Sequence, residues 1–178
     1  MIGLPERAEA APYYFTYVDR ITNPDVVDEL KTQLEDFPKF LQAISEQKSL
    51  HRYAPDKWSI RQTIGHINDA ERVFAFRAFW FARTFETPLP SFDQNIAVNA
   101  ANADLYSWTS HIGDFVAVRS ATISLFRNLP AEAWLRKGIA SENTFTVRAL
   151  AYVIAGHLVH HRSILETRYL QPQARSAS

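Results

Sequence analysis

"TVRALAYVIAGHLVHHRSILETRY", residues 146–169, contains no proline and a single glycine. Val147, Leu150 and Ile154, with Leu158 and Leu165 beside them, recur at steps of three and four residues, which is the period of a helix with one buried face. On such a helix, positions four apart differ by about 40° and positions three apart by about 60° in the opposite sense. His157 and His161 therefore continue the apolar line inward. His160 falls with Val153, Gly156, Ser163 and Thr167, rotated toward the edge. A long helix that points two imidazoles into a core must be one wall of a structure whose other walls supply partners for them.

Three further helical stretches supply those walls. Asn23 reads as an N-cap with Pro24 in the first helical position, and Asp25, Asp28 and Glu29 suit the start of a helix. Val27, Leu30, Leu34, Phe37, Leu41 and Ile44 give that helix its stripe, and Pro38 is expected to kink it. A second helix spans Ser59 to about Phe85, with Ile60, Ile64, Ile67, Phe74, Ala78 and Phe81 in line and Phe76, Phe79 and Trp80 widening the apolar face. "TPLPSFDQN" (87–95) makes a long connection to a third helix between about Ala97 and Asn128. Residues 130–145 read as a short helical turn, "PAEAWLRK", followed by a loop. Residues 1–22 form an arm packed on the body, 23–170 the body and 171–178 a frayed tail. Four long helices with no run of alternating strands predict an all-α, four-helix bundle.

Composition narrows the function classes. Nineteen basic and nineteen acidic side chains cancel, so charge gives no reason to expect nucleic acid or a membrane surface as partner. There is no cysteine, which excludes disulfides, a thiolate nucleophile and Cys-ligated metal. Any metal must be held by nitrogen and oxygen. No run approaches the roughly 18 apolar residues of a membrane span, and "MIGLPERAEAAPYY" has neither a basic n-region nor an apolar h-region. A cytoplasmic protein is the expectation.

His157 and His161 are one turn apart, a spacing that bites a single divalent cation in H-E-x-x-H sites. Here "LVH" separates them and no glutamate follows His157, so the zinc-protease reading lacks its general base. The di-iron bundle reading lacks its Glu-x-x-His pairs. A metal pair and a hydrogen-bonded polar core both remain open on spacing alone. "KWSIRQTIGHINDAER" (57–72) offers His66 beside the inward-facing Ile67, with Asp69 and Glu71 close by; a helix-surface histidine is its plainer reading. His51, in a connection, and His111, midway along the third helix, read as solvated. Arg77, Arg119 and Arg148 could bind a carboxylate, although arginines on helices are commonly solvent-facing, and Trp58 and Trp108 could line a pocket or fill the core. Glu71 reads more simply as an ion-pair partner of an arginine.

"KWSIRQTIGHINDAER" in the second helix followed by "AYVIAGHLVHHRSIL" (151–165) in the fourth resembles the DinB-like superfamily of DinB/YfiT-type metal-dependent proteins, from about Val26 to Leu170. The resemblance implies an up-down-down-up four-helix bundle with a long connection between helices 2 and 3. It also implies a divalent metal on His66, His157 and His161, with His160 adjacent, and a homodimer. Asp69, Glu71 and His160 are the candidates for orienting ligands or moving protons. The metal could be zinc, nickel or iron. Characterised members include enzymes that use low-molecular-weight thiols, so a small-molecule substrate and possible thiol cosubstrate are expected. Three imidazoles leave coordination positions open, which suits activation of a thiol for S-transfer or of water for hydrolysis. The alternative is a non-enzymatic bundle that binds a metal or small ligand and acts through its homodimer.

Overall fold

The computed structural model describes residues 2–171, and the tail expected over 171–178 lies outside them but for Gln171. The expected bundle is present: α2 (Val26–Gln42), α3 (Ile60–Ala82), α5 (Trp108–Arg127) and α6 (Val147–Ile164) are its long members. The short helices α1 (Phe15–Val18) and α4 (Gln94–Ala101) are added at its side. A π-helical turn, Leu165–Tyr169, ends the last helix.

Side-chain hydrogen bonds give the directions. Glu71 meets Arg119, and Asn68 meets Asp114, so equivalent turns of α3 and α5 lie side by side and run in parallel. Trp108 at the start of α5 donates to the Leu41 carbonyl at the end of α2, so those two are antiparallel. His66, early in α3, meets His157, late in α6, which makes that pair antiparallel too. The result is the up-down-down-up order, with α3 packed between α5 and α6, and α2 closing the ring.

Local chemistry sets the helix ends, and several differ from the sequence reading. Asn23 is not the first cap: its Oδ1 accepts from the Asp25 N–H at 2.9 Å, a local turn that leaves Asp25 extended and free to cap the N–H groups of Val27 and Asp28. Pro24 therefore precedes the helix. Helix α3 opens on a reciprocal capping box between Ser59 and Gln62, each bond 3.0 Å, a device worth about 1 kcal/mol. The third stretch is two helices, because Asn102 takes a left-handed conformation (φ 48°) and ends α4, and Ser107 caps a fresh start at Trp108.

The loop expected after residue 137 is a β-hairpin. Strand β1 (Lys137–Ala140) pairs antiparallel with β2 (Asn143–Thr146), and Ser141 and Glu142, both at positive φ, make the two-residue turn. That geometry normally favours Asn-Gly or Asp-Gly, so Ser-Glu gives no signal for it. Leu89 bonds to both Ile139 and Ser141 across the hairpin's edge, which fixes the 87–92 connection against it.

Apolar packing forms two clusters. Phe81, Phe126, Phe145, Leu150 and Ile154 belong to one, and Phe37, Ile60, Ile64, Phe115 and Leu158 to the other. The N-terminal arm is tied down by Glu9, which accepts from Thr146 Oγ1 at 2.7 Å and pairs with Arg148. Helix α1 lies against α6 at Gly156, where an added Cβ would fall 2.1 Å from the Tyr17 carbonyl oxygen.

Candidate metal centre

Helices α3 and α6 bring His66, His157 and His161 together, each able to present one nitrogen within 4.8 Å of the others. His157 Nε2 lies 3.1 Å from His66 Nε2 and 3.0 Å from His161 Nε2. His66 and His157 are buried, and His161 is less deeply so. All three imidazoles are held below their ordinary pKa. Burial pushes His66 down to about 4, assisted by His160. Burial and then the neighbouring imidazoles push His161 down to about 3 and His157 well below its usual value. Neutral rings with free lone pairs are what a cation requires.

The geometry fits a cation better than it fits hydrogen bonding among the rings. A neutral imidazole nitrogen either donates one proton or accepts through one lone pair, so His157 Nε2 can satisfy one neighbour well and leaves the other facing it at close range. Three ligands about 2.1 Å from one ion are roughly 3.0–3.4 Å apart, for right-angled and tetrahedral arrangements respectively. The two observed separations meet the lower end of that range. His66 Nδ1 is buried and has no hydrogen-bond partner among the described residues. Packing orients its ring instead, with Trp58 at 5.0 Å between centroids and the other two imidazoles each at 4.9 Å.

The remaining candidates are placed differently. His160 is half-buried with its ring edge-on to Tyr17 and His161. Burial, then Arg20, lowers its pKa. Asp69 pairs with Arg72 at 3.2 Å, and burial raises its carboxyl above the usual value despite Arg72. Glu71 gives both oxygens to Arg119, at 2.8 and 2.9 Å. No hydrogen bond joins Asp69 or Glu71 to the imidazoles among the described residues. His111 is buried rather than solvated, and its Nε2 lies 2.8 Å from the Ala103 carbonyl. Trp108 is core. Arg77 and Arg119 are buried and Arg148 nearly so, where the sequence suggested solvent.

A cleft of about 450 Å³ opens beside His66 and His157. Its walls include Tyr13, Tyr14 and Tyr17 from the N-terminal arm, Phe92 and Asp93 from the 87–95 connection, and Ser141 from the hairpin turn. Sequence reasoning passed over all of them. Lying on other elements, they carry no local signal; on α3 itself the signal is positional, since Ala70, Phe74 and Arg77 follow His66 at four, eight and eleven residues and share the face that His66 presents. On the other side of the triad His161 borders a second cleft, of about 310 Å³, with Trp58 and Tyr169.

The family profile described as the DinB superfamily matches residues 29–165. The chain belongs to the DinB superfamily. No curated protein is similar enough to count as a match. Among solved structures, this superfamily chain is similar to YfiT from Bacillus subtilis, described as a probable metal-dependent hydrolase with an unusual four-helix bundle topology. The TM-score is 0.68 over 88% of this chain and 86% of that one, at 16% identity. At that identity the likeness establishes the fold.

Proposed function

We propose that this chain is a divalent-metal-dependent enzyme for a small-molecule substrate, with His66, His157 and His161 as the metal ligands. The observation that carries the reading is the convergence of three Nε2 atoms at 3.0 and 3.1 Å spacings, which one lone pair on His157 cannot satisfy. A divalent ion bound there supplies Lewis acidity and lowers the pKa of a coordinated water or thiol. The chain's own residues hold the ligand rings neutral by burial and aim them through helix packing. They also open the site to a cleft wide enough for a small molecule.

Hydrolysis is the first reading, in keeping with the description of YfiT. His160 is the side chain beside the triad that can accept a proton, being neutral and only half-buried. Thiol S-transfer is the second reading, favoured by one observation: among the described residues no carboxylate joins the three-histidine group. A thiol, with a free pKa near 8.5, asks less of a base than water does.

Elemental analysis of tag-free protein purified without chelator tests the proposal, beside His66→Ala and His161→Ala. About one divalent ion per chain, lost in both variants, is the expected result. Wild-type protein that neither carries metal nor takes up added zinc, nickel or iron overturns it. With the metal in place, release of product from esters in buffer alone selects hydrolysis, and a strict requirement for an added thiol selects S-transfer.

A further inference from the structure

Three buried or nearly buried arginines each pair with a glutamate: Arg61 with Glu46, Arg119 with Glu71, and Arg148 with Glu9. Arg77 is as deeply buried, at 3% exposure, and pairs with no carboxylate among the described residues. Its hydrogen bonds both leave from Nη2, to the Pro90 carbonyl at 3.0 Å and to Ser141 Oγ at 2.8 Å. Nη1 and Nε meet no carboxylate or carbonyl among the described residues and are not sealed from solvent, and the side chain lines the same cleft as His66 and His157. The Tyr14 hydroxyl stands beside the guanidinium. A buried cation without an anion is costly unless a ligand supplies one, and the guanidinium's planar fork matches the two oxygens of a carboxylate or phosphate.

Phe74 joins the two ends of the cleft. Its ring centroid is 6.3 Å from that of His157 and 5.7 Å from the Arg77 guanidinium carbon. Imidazole and guanidinium are therefore at most about 12 Å apart, with an aromatic surface between them. The carboxylate that lines this cleft, Asp93, is turned to its own helix and caps Asn95 and Ile96.

We propose that Arg77, with Ser141 and Tyr14 beside it, is an oxyanion-binding subsite. It holds a carboxylate or phosphate at one end of an elongated small molecule whose reacting group lies at the imidazole end. As a substrate subsite this rests on the metal-enzyme reading; as an anion site it stands alone. Arg77 is here a binding residue. The hydroxyls of Ser141 and Tyr14 direct the anion, and Phe74 carries the apolar body between the two ends.

Calorimetric titration tests it with 3-phenylpropionate, its uncharged amide and phenyl phosphate, on the full chain with and without saturating zinc. The acid is expected to bind roughly tenfold or more tightly than the amide, the scale of a hydrogen bond to a charged group. Arg77→Gln should abolish that preference and Arg77→Lys should retain part of it. Ser141→Ala should weaken the acid and leave the amide unchanged. Of the two anions, the tighter names the oxyanion class. The preference should persist in His161→Ala, which separates failure of the metal reading from failure of this one. Equal binding of acid and amide overturns the proposal, as does an acid preference that survives Arg77→Gln, with or without zinc. Should Arg77→Gln not fold, full acid preference in both Arg77→Lys and Ser141→Ala overturns it as well.

Discussion

Glu71→Gln separates the structural role of this carboxylate from a place at the proposed metal centre. Arg119 is fully buried and Glu71 is 3% exposed, so the substitution leaves a guanidinium charge in a site that water does not reach. Gln33 Oε1, at 2.7 Å from Arg119 Nη1, remains as a neutral partner. Breaking a buried pair from one side costs about 3–5 kcal/mol, a large part of the roughly 5–15 kcal/mol that holds a domain folded. At about 2–4 °C per kcal/mol for a chain of this size, melting should fall by roughly 10 °C. Replacing both partners, as Glu71→Leu with Arg119→Met, removes the uncompensated charge. It leaves only Gln33 short of a donor, a loss of about 1 kcal/mol. Thermal and urea unfolding followed by far-UV circular dichroism, with metal content measured alongside, gives the comparison. A Glu71→Gln loss under about 1 kcal/mol refutes the argument, as does a double variant no better than the single. Loss of metal at unchanged stability would instead return Glu71 to the proposed metal centre.

Gly156→Ala sets about 1 kcal/mol of helix propensity gained by α6 against a Cβ at 2.1 Å from the Tyr17 carbonyl oxygen, an overpacking cost of about 1–3 kcal/mol. Net destabilisation and faster amide hydrogen exchange over residues 13–18 are expected; a more stable variant with unchanged exchange there would contradict the close approach. Burial pushes the Glu9 carboxyl up, but hydrogen bonds from Arg148, the Glu6 N–H and Thr146 outweigh it and hold the group below its ordinary value. A depressed folded pKa contributes stability that is present above the unfolded pKa and fades as pH falls through the folded one. The stability gap between wild type and Glu9→Gln should therefore narrow as urea titrations are carried from pH 7 to below about 4. A gap that is constant over that range would show that the charge of Glu9 contributes nothing.

The parts of this molecule legible in its sequence are those decided within a turn or two of chain. Periodicity gives four long helices because Leu150, Ile154 and Leu158 need only their own helix to line up, and the same period turns His157 and His161 inward. His66 joined them through a resemblance of motifs, and α3 does bring it to 3.1 Å from His157. Rivalry between neighbours defeats the reading elsewhere: Asn23 and Asp25 are both good caps, and the turn made by the first hands the role to the second. The hairpin hides behind Ser141 and Glu142 because positive φ there is held by the strands and by Asn143, whose side chain donates to the Ser141 carbonyl at 2.6 Å, and not by residue type. Buried arginines are illegible for a deeper reason, since each depends on a partner far along the chain. Arg72 and Arg77 lie five residues apart on one helix, yet Arg72 is exposed and shared between Asp69 and Asp114, whereas Arg77 is enclosed by Pro90 and Ser141. Nothing local distinguishes them. What does is register with His66: eleven residues is three turns, so Arg77 must share whichever face His66 presents. A sequence that reveals one inward histidine on a helix thereby nominates every residue four, eight and eleven positions on as a wall of the same cleft.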